Sequence, residues 1–232
     1  MKNQCKVIGF DADDTLWENQ IYYDEIAQQF FELVSDYVTP SVAERELYKT
    51  EMLNMEIYGY GARAFILSII ETALRITNNQ IEGTVIAQIV ELCKNLLNKP
   101  VILLEGIEEI LEILSLTPYT LILVTKGDLL DQERKLKRSN IEQYFHHIEI
   151  VSDKQEEDYV KLLRRINIAP ENFMMVGNSL KSDVLPIIRL GGYGVHIPYH
   201  TTWEHEKTEI NEKLERFWEI KHIIQLKEIL SL

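Results

Sequence analysis

The sequence of 232 residues is poor in cysteine and contains no long apolar run. Its two cysteines, Cys5 and Cys93, are far apart and lack the spacing of a zinc site, so they indicate reduced thiols. The apolar runs are too short to span a bilayer, and the N-terminus lacks the pattern of a signal peptide. We therefore expect a cytoplasmic protein without a membrane segment.

Positive charge is also scarce: the sequence has 24 lysines and arginines against 37 aspartates and glutamates, which gives a net charge of −13. This balance argues against a nucleic-acid-binding surface. A small phosphorylated substrate remains compatible, since a bound metal ion can supply positive charge locally. The length fits one large domain or a core with an insert, and it leaves the oligomeric state open.

Three acids follow the first apolar run of the chain within four positions. The run Val7-Ile8-Gly9-Phe10 is short and bounded, which is typical of a buried parallel strand, and Asp11, Asp13 and Asp14 come directly after it. They therefore fall at the carboxyl end of the strand, where open α/β sheets bind their ligands. Packing several carboxylates together favours a bound cation that compensates their repulsion.

The spacing of these acids suggests chemical roles. Asp11 and Asp13 are two positions apart and share one side of an extended segment. Asp11 can attack an electrophile as a covalent nucleophile, and Asp13 can supply and then remove a proton. Two alternatives stay open at this point: an acidic strand-to-helix turn with Asp at the N-cap, and a Mg²⁺ or Ca²⁺ loop without chemistry.

The rest of the chain divides into a helical block and a block of alternating strands and helices. Between residues 18 and 98, apolar residues recur at helical spacing in four segments, which predicts a small helical bundle. Beyond residue 98, helices alternate with apolar strand candidates, which lie at 120–125, 147–151, 172–176, 194–197 and 217–220. This alternation predicts an α/β fold with a doubly wound, Rossmann-like parallel sheet, interrupted after its first strand by the helical block.

The segment Asp11-Ala12-Asp13-Asp14-Thr15 resembles the DxDx[TV] motif of the haloacid dehalogenase superfamily, in its phosphatase-like branch. In that family the first Asp is phosphorylated and the second is the acid/base. The resemblance implies that Thr125, with Lys126 and Gly127, forms the second motif, in which a hydroxyl and backbone N–H groups hold a phosphoryl oxygen.

The third motif of the family is a lysine that neutralises the nucleophile and the phosphoryl group. Lys154 follows a predicted strand and fits this position better than Lys161, which lies inside a predicted helix. The fourth motif, GDxxxxD, is matched by residues 177–183 with Asn178 in place of the usual Asp and with Asp183 at its end. An amide oxygen can still bind Mg²⁺, but the loss of one charge weakens metal binding or shifts its selectivity.

The resemblance implies a Mg²⁺ cofactor held by Asp11, Asp13, Asn178 and Asp183. It also implies a core at 1–17 and 99–232 and an inserted helical cap at 18–98. Within this block, the loop Tyr58-Gly59-Tyr60-Gly61-Ala62-Arg63 either reaches over the site, which makes Arg63 a candidate substrate contact, or is a glycine turn with partly exposed tyrosines. The expected function is a phosphatase acting on a small phosphomonoester. A phosphomutase or dehalogenase of the same superfamily and a non-catalytic module that retains the pocket are the alternatives, and Asn178 favours the last of these.

Overall fold

The computed structural model of the protein describes residues 5–201, 203–208, 210 and 214–232. The first four residues of the predicted core lie outside the described residues. So does part of the segment 204–215, whose charged composition predicts an exposed tail. Within the described ranges, no helix combines the length and the apolar character needed to cross a membrane.

A six-stranded sheet in the order β3-β2-β1-β4-β5-β6 forms the centre of the fold, and each of its neighbouring pairs is parallel. The first strand lies inside the sheet because the chain adds strands on both of its sides, so the predicted doubly wound sheet is confirmed. The strands are β1 Val7–Phe10, β2 Thr120–Lys126, β3 His147–Val151, β4 Phe173–Gly177, β5 Tyr193–His196 and β6 Phe217–Glu219.

The α-helices of the described chain are α1 Gln20–Leu33, α2 Pro40–Tyr58, α3 Ala62–Ile76, α4 Gly83–Leu97, α5 Ile107–Ser115, α6 Leu129–Ser139, α7 Glu156–Arg165, α8 Leu185–Arg189 and α9 Leu226–Leu230. A π-helical turn, Leu180–Val184, directly precedes α8. A 3₁₀ turn, Ile223–Gln225, directly precedes α9.

Both faces of the four central strands, β1, β2, β4 and β5, are buried, as their apolar sequences require. Alternate residues of β1 enter two different cores: Ile8 and Phe10 join the larger one, whereas Val7 packs with Phe173 and Met175 on the opposite face. Burial on both faces leaves the ends of the strands as the places where polar side chains gather.

The described residues divide into two compact units. The sheet unit takes its residues from Met1–Gln20, Val101–Lys126 and Gln132–Leu232, and the helical unit from Ile21–Pro100 and Gly127–Asp131. The helical unit has its own core, which includes Ile26, Phe30 and Ile69. The four helices predicted between residues 18 and 98 are present, while their role as a cap stays a prediction.

Candidate active site

Residues from three neighbouring strands meet at the carboxyl edge of the sheet unit. Phe10, the last residue of β1, pairs with Leu123 of β2 on one side and with Val176 of β4 on the other. This register brings Asp11, Thr125 and Gly177 to the same edge, at the point where the strand order reverses. The Thr125 side chain is buried there, one residue before the end of β2.

Lys154 joins two of the predicted acids. Its Nζ donates to Oδ1 of Asp11 and, at 2.8 Å, to Oδ1 of Asp183. The Asp11, Lys154 and Asp183 residues are 6%, 2% and 1% exposed, so water screens these charges little. Of the two lysines considered, Lys154, whose loop follows β3, contacts Asp11, whereas Lys161 lies on the surface of α7 and pairs with Asp158.

The charges of this cluster perturb one another. Burial raises the pKa of Asp11 to about 7, and the neighbouring charge of Asp183 adds to the rise while Lys154 opposes it. Burial alone would lower the pKa of Lys154, but the charges of Asp11 and Asp183 outweigh burial and raise it. Lys154 therefore stays protonated, and the buried group of two acids and one base has room for a further positive charge.

The Asp13 carboxylate accepts hydrogen bonds from one side chain nearby in sequence and from two side chains of α6. Its Oδ1 accepts from Trp17 Nε1 at 2.7 Å, and its Oδ2 accepts from Gln132 Nε2 at 2.7 Å. The Nζ of Lys135 lies 3.0 Å from Oδ1 and 3.1 Å from Oδ2. Sequence reasoning did not single out Gln132 and Lys135; their three-residue spacing on one face of the polar helix α6 was the available signal.

Asp14 has a structural role instead. Its carboxylate accepts the backbone N–H groups of Asn19 and Gln20 at 2.9 to 3.1 Å, at the start of α1. Its φ of 61° turns the chain sharply after the strand, a conformation that Asp tolerates better than most residues. Burial raises the pKa of Asp14 to about 7 although these two N–H groups oppose the rise.

The loop after β4 carries Asn178 and Asp183 and is tied to the first motif by Thr15. The Thr15 hydroxyl donates to Oδ2 of Asp11 at 3.0 Å and accepts the backbone N–H of Asn178 at 3.0 Å. It lies 3.3 Å from Oδ1 of Asn178. The backbone N–H of Ser179 donates to Oδ2 of Asp183 at 3.0 Å, so the loop fixes the carboxylate that Lys154 contacts.

Gly177 is required at the end of β4 because the Asp183 side chain occupies the place of a Cβ. A Cβ built on Gly177 would lie 2.2 Å from Oδ2 of Asp183 and 2.4 Å from its Cγ. We expect Gly177→Ala to lower the free energy of unfolding by about 1–3 kcal/mol, the usual effect of overpacking. Urea denaturation measures this loss.

Gly83→Ala is the matched control, since nothing lies within 4 Å of a Cβ at Gly83. It should leave the stability equal to that of the wild type or raise it slightly, because Ala favours a helix over Gly. A Gly177→Ala protein as stable as the Gly83→Ala control would contradict the described packing of Asp183.

Lys126 is engaged by a glutamate that sequence reasoning did not identify. Its Nζ donates to Glu206 and, at 2.9 Å, to Oγ of Ser182, and Glu206 Oε2 accepts from Ser179 at 2.6 Å and Ser182 at 2.7 Å. Burial alone would raise the pKa of Glu206, but Lys126 and the hydrogen bonds hold it at about 2. The ion pair competes with the predicted contact between Lys126 and substrate, which stays a prediction.

Two other predicted substrate contacts belong to the helical unit. Arg63 is the second residue of α3, and its guanidinium donates to Oδ2 of Asp128 at 2.8 Å. Gly127 has a φ of 136°, which favours glycine. The predicted contacts of Arg63 and Gly127 with substrate stay predictions.

The residues predicted to hold Mg²⁺ offer the oxygen donors that this ion prefers: carboxylates of Asp11 and Asp183, the backbone carbonyl of Asp13 and the amide of Asn178. The uncompensated negative charge of the buried Asp11, Lys154 and Asp183 cluster fits a cation. Within the described part of the chain, no group of three or more His, Cys, Asp or Glu is arranged as a metal site. That finding is compatible with this set, in which only two carboxylates act as ligands.

A family model of haloacid dehalogenase-like hydrolases matches residues 5–191. A search of curated proteins found no match. Among solved structures, a haloacid dehalogenase-like family hydrolase from Xanthomonas campestris is 34% identical, with a TM-score of 0.88, over 100% of this chain and 93% of that chain.

More distant structures share the fold but differ in described activity. The HAD hydrolase YfnB from Bacillus subtilis, solved with magnesium, is 16% identical with a TM-score of 0.69, over 99% of this chain and 100% of its own. A 2-haloacid dehalogenase from Pseudomonas syringae is 16% identical with a TM-score of 0.66, over 98% of both chains. The extent of the family match confirms the resemblance: this chain belongs to the haloacid dehalogenase-like hydrolases.

Proposed function

We propose that the protein is a Mg²⁺-dependent phosphatase that hydrolyses a small phosphomonoester through a phosphorylated Asp11. The supporting observation is the second carboxylate, Asp13, which follows Asp11 by two positions and is held at the same site by Trp17, Gln132 and Lys135. The dehalogenase branch of the family lacks an acid at this position, so Asp13 favours transfer of a phosphoryl group.

In the proposed reaction, a carboxylate oxygen of Asp11 attacks phosphorus, and the bond between phosphorus and the ester oxygen breaks. Asp13 gives its proton to the departing alkoxide and then takes a proton from the water that attacks the aspartyl phosphate. That second attack releases phosphate and restores the Asp11 carboxylate. Thr125 and Lys154 stabilise the phosphoryl oxygens in both steps.

Mg²⁺ bound by Asp11, the Asp13 carbonyl, Asn178 and Asp183 would offset the charge of the carboxylates and of the phosphoryl group. The B. subtilis relative solved with magnesium is compatible with this metal, and a predicted phosphoglycolate phosphatase from Haemophilus somnus, also 16% identical, is compatible with the proposed activity. We further propose that the helical unit is the cap that selects the substrate, and that the protein is cytoplasmic, since Cys5 and Cys93 are free and buried.

The test compares one chromogenic aryl phosphate with one 2-haloacid, each with Mg²⁺ and with a chelator. We expect Mg²⁺-dependent release of phosphate and no release of halide. Halide release without phosphate release would assign the protein to the dehalogenases. Transfer of phosphate within a sugar monophosphate, stimulated by the corresponding bisphosphate, would assign it to the phosphomutases.

A second candidate function, a non-catalytic module that retains the pocket, is favoured by one residue. Asn178 supplies a neutral oxygen where the family usually has a carboxylate, and its backbone N–H and Oδ1 both face Thr15. A module of this kind would bind a phosphorylated molecule without turning it over.

Asn178→Asp tests the position of this amide relative to the metal. The two side chains have nearly the same size, so the change adds charge with little effect on packing. We expect the Mg²⁺ concentration for half-maximal activity to fall, because carboxylates bind this ion more strongly than amides. The maximal rate need not rise, since the added charge also repels the phosphate dianion.

An unchanged Mg²⁺ requirement would place Asn178 away from the metal, with its amide serving the contact to Thr15. Activity that is absent in the wild type but appears in Asn178→Asp would support the non-catalytic function for the natural protein. Asn172→Asp, at the turn before β4, is the control for adding one negative charge.

A further inference from the structure

The Asp13 carboxylate is more completely coordinated than any of the proposed roles requires. Oδ1 accepts from Trp17 at 2.7 Å and from Lys135 at 3.0 Å, while Oδ2 accepts from Gln132 at 2.7 Å and from Lys135 at 3.1 Å. A carboxylate has about four acceptor positions, so these contacts fix the plane of the group, and one of them has to be released when an oxygen takes a proton or contacts the substrate. The partners come from the turn after β1 and from α6.

The ammonium group of Lys135 is engaged by Asp13 and by a neighbouring side chain. Its Nζ also donates to Oδ1 of Asn19 at 2.7 Å, so at least three oxygens lie around an ammonium group that has three N–H donors. Its side chain is 17% exposed and that of Asp13 is 22% exposed, which places the pair at the edge of the site. Lys135 therefore binds Asp13 rather than offering a free cation to a substrate.

The side-chain amide of Gln132 is oriented towards Asp13, although this orientation leaves its own oxygen unsatisfied. Its Nε2 donates to Asp13 and, at 3.3 Å, to the backbone carbonyl of Lys126, while its Oε1 is buried and has no hydrogen-bond partner among the described residues. An unsatisfied buried acceptor is unfavourable, so the gain from directing the amide N–H at Asp13 must outweigh it. Gln132 lies one helical turn before Lys135, on the same face of α6.

We propose that Lys135, assisted by Gln132, is a positioning residue for the acid/base Asp13, an inference that rests on the proposed phosphatase function. Proton transfer requires the Asp13 oxygen to lie within hydrogen-bond reach of the ester oxygen and then of the attacking water. An aspartate side chain without these partners samples other rotamers. Lys135 thus acts on the reaction through Asp13 and not through the substrate.

The test is a double-mutant cycle with Lys135→Met, Asp13→Asn and the double variant, on one aryl and one alkyl phosphate at saturating Mg²⁺. Asp13→Asn should lower kcat by roughly 10²–10⁴-fold, the usual contribution of a general acid/base. Lys135→Met should lower kcat by about 10- to 100-fold, a fraction of that contribution, with KM within about twofold of the wild type. The loss should be larger for the alkyl phosphate, whose leaving group needs the proton more.

The decisive measurement is the effect of Lys135→Met in the Asp13→Asn background. If Lys135 acts only through Asp13, this second substitution changes kcat by less than about twofold. Lys135→Arg should recover part of the rate because it restores a cation near Asp13. Lys137→Met, at an exposed position of the same helix, should match the wild type.

A loss in the Asp13→Asn background as large as in the wild type would overturn the inference, as would a rise in KM with unchanged kcat. Unfolding curves of each variant identify any protein that fails to fold, and Lys135→Gln, which also removes the cation, then replaces Lys135→Met in the cycle. A wild-type protein that hydrolyses no phosphomonoester would instead refute the proposed function and, with it, the role of Lys135. The two failures are therefore distinguishable.

Discussion

Asp11→Asn is expected to fold and to lose phosphatase turnover down to the background of the assay. An amide has nearly the size of the carboxylate but is a very poor nucleophile, so the first bond to phosphorus does not form. The measurements are steady-state turnover of an aryl phosphate and acid quenching, which traps a phosphorylated protein. Wild type should give the trapped species and Asp11→Asn should not.

Asp36→Asn is the control for the same chemical change at an exposed position in the helical unit, and it should leave turnover unchanged. Wild-type turnover by a folded Asp11→Asn protein would refute the assignment of the nucleophile. A trapped phosphoryl group in Asp11→Asn would place the nucleophile on another side chain.

Lys154→Met is expected to abolish turnover and to lower the free energy of unfolding by about 3–5 kcal/mol, the usual effect of removing one partner of a buried ion pair. Lys154 is 2% exposed and contacts Asp11 and Asp183, so its loss leaves both buried acids without their cation. Urea denaturation in a metal-free buffer measures the change. Lys161→Met, which removes an exposed ion pair with Asp158, should cost at most about 1 kcal/mol.

The destabilisation should depend on pH in a defined direction. Burial raises the pKa of Asp11 from its ordinary value of 3.8 to about 7, so between these values the folded protein binds more protons than the unfolded chain. Stability contributed by this group is therefore present below about pH 4 and is lost as the pH rises towards 7. Without Lys154 the rise in pKa is larger, so Lys154→Met should be closer to the wild type at pH 5 than at pH 8.

Equal destabilisation of Lys154→Met at both pH values would contradict a cluster dominated by buried carboxylates. An effect of Lys161→Met as large as that of Lys154→Met would contradict the choice of Lys154. The comparison also bears on the metal, because saturating Mg²⁺ bound by Asp11 and Asp183 should recover part of the stability that the variant loses.

The sequence alone determined the elements of the fold and the residues nearest to the proposed chemistry. Short, fully apolar runs such as Val7–Phe10 predict strands buried on both faces, and each run ends at polar residues that a parallel sheet brings to one edge. Local pattern suffices here because side-chain periodicity and chain breaks are read over a few neighbouring residues. Asp11 and Asp13 were found in this way, and the resemblance to the third and fourth family motifs added Lys154 and Asp183.

Only the tertiary structure decided which side chains hold these residues in place. Lys135 and Gln132 lie 122 and 119 residues from Asp13, and Glu206 lies 80 residues from Lys126. A lysine on a polar helix has the same local pattern whether it faces solvent or a buried carboxylate. The difference arises from the packing of α6 beside the first motif, and contacts formed across such separations leave no periodic trace in the sequence.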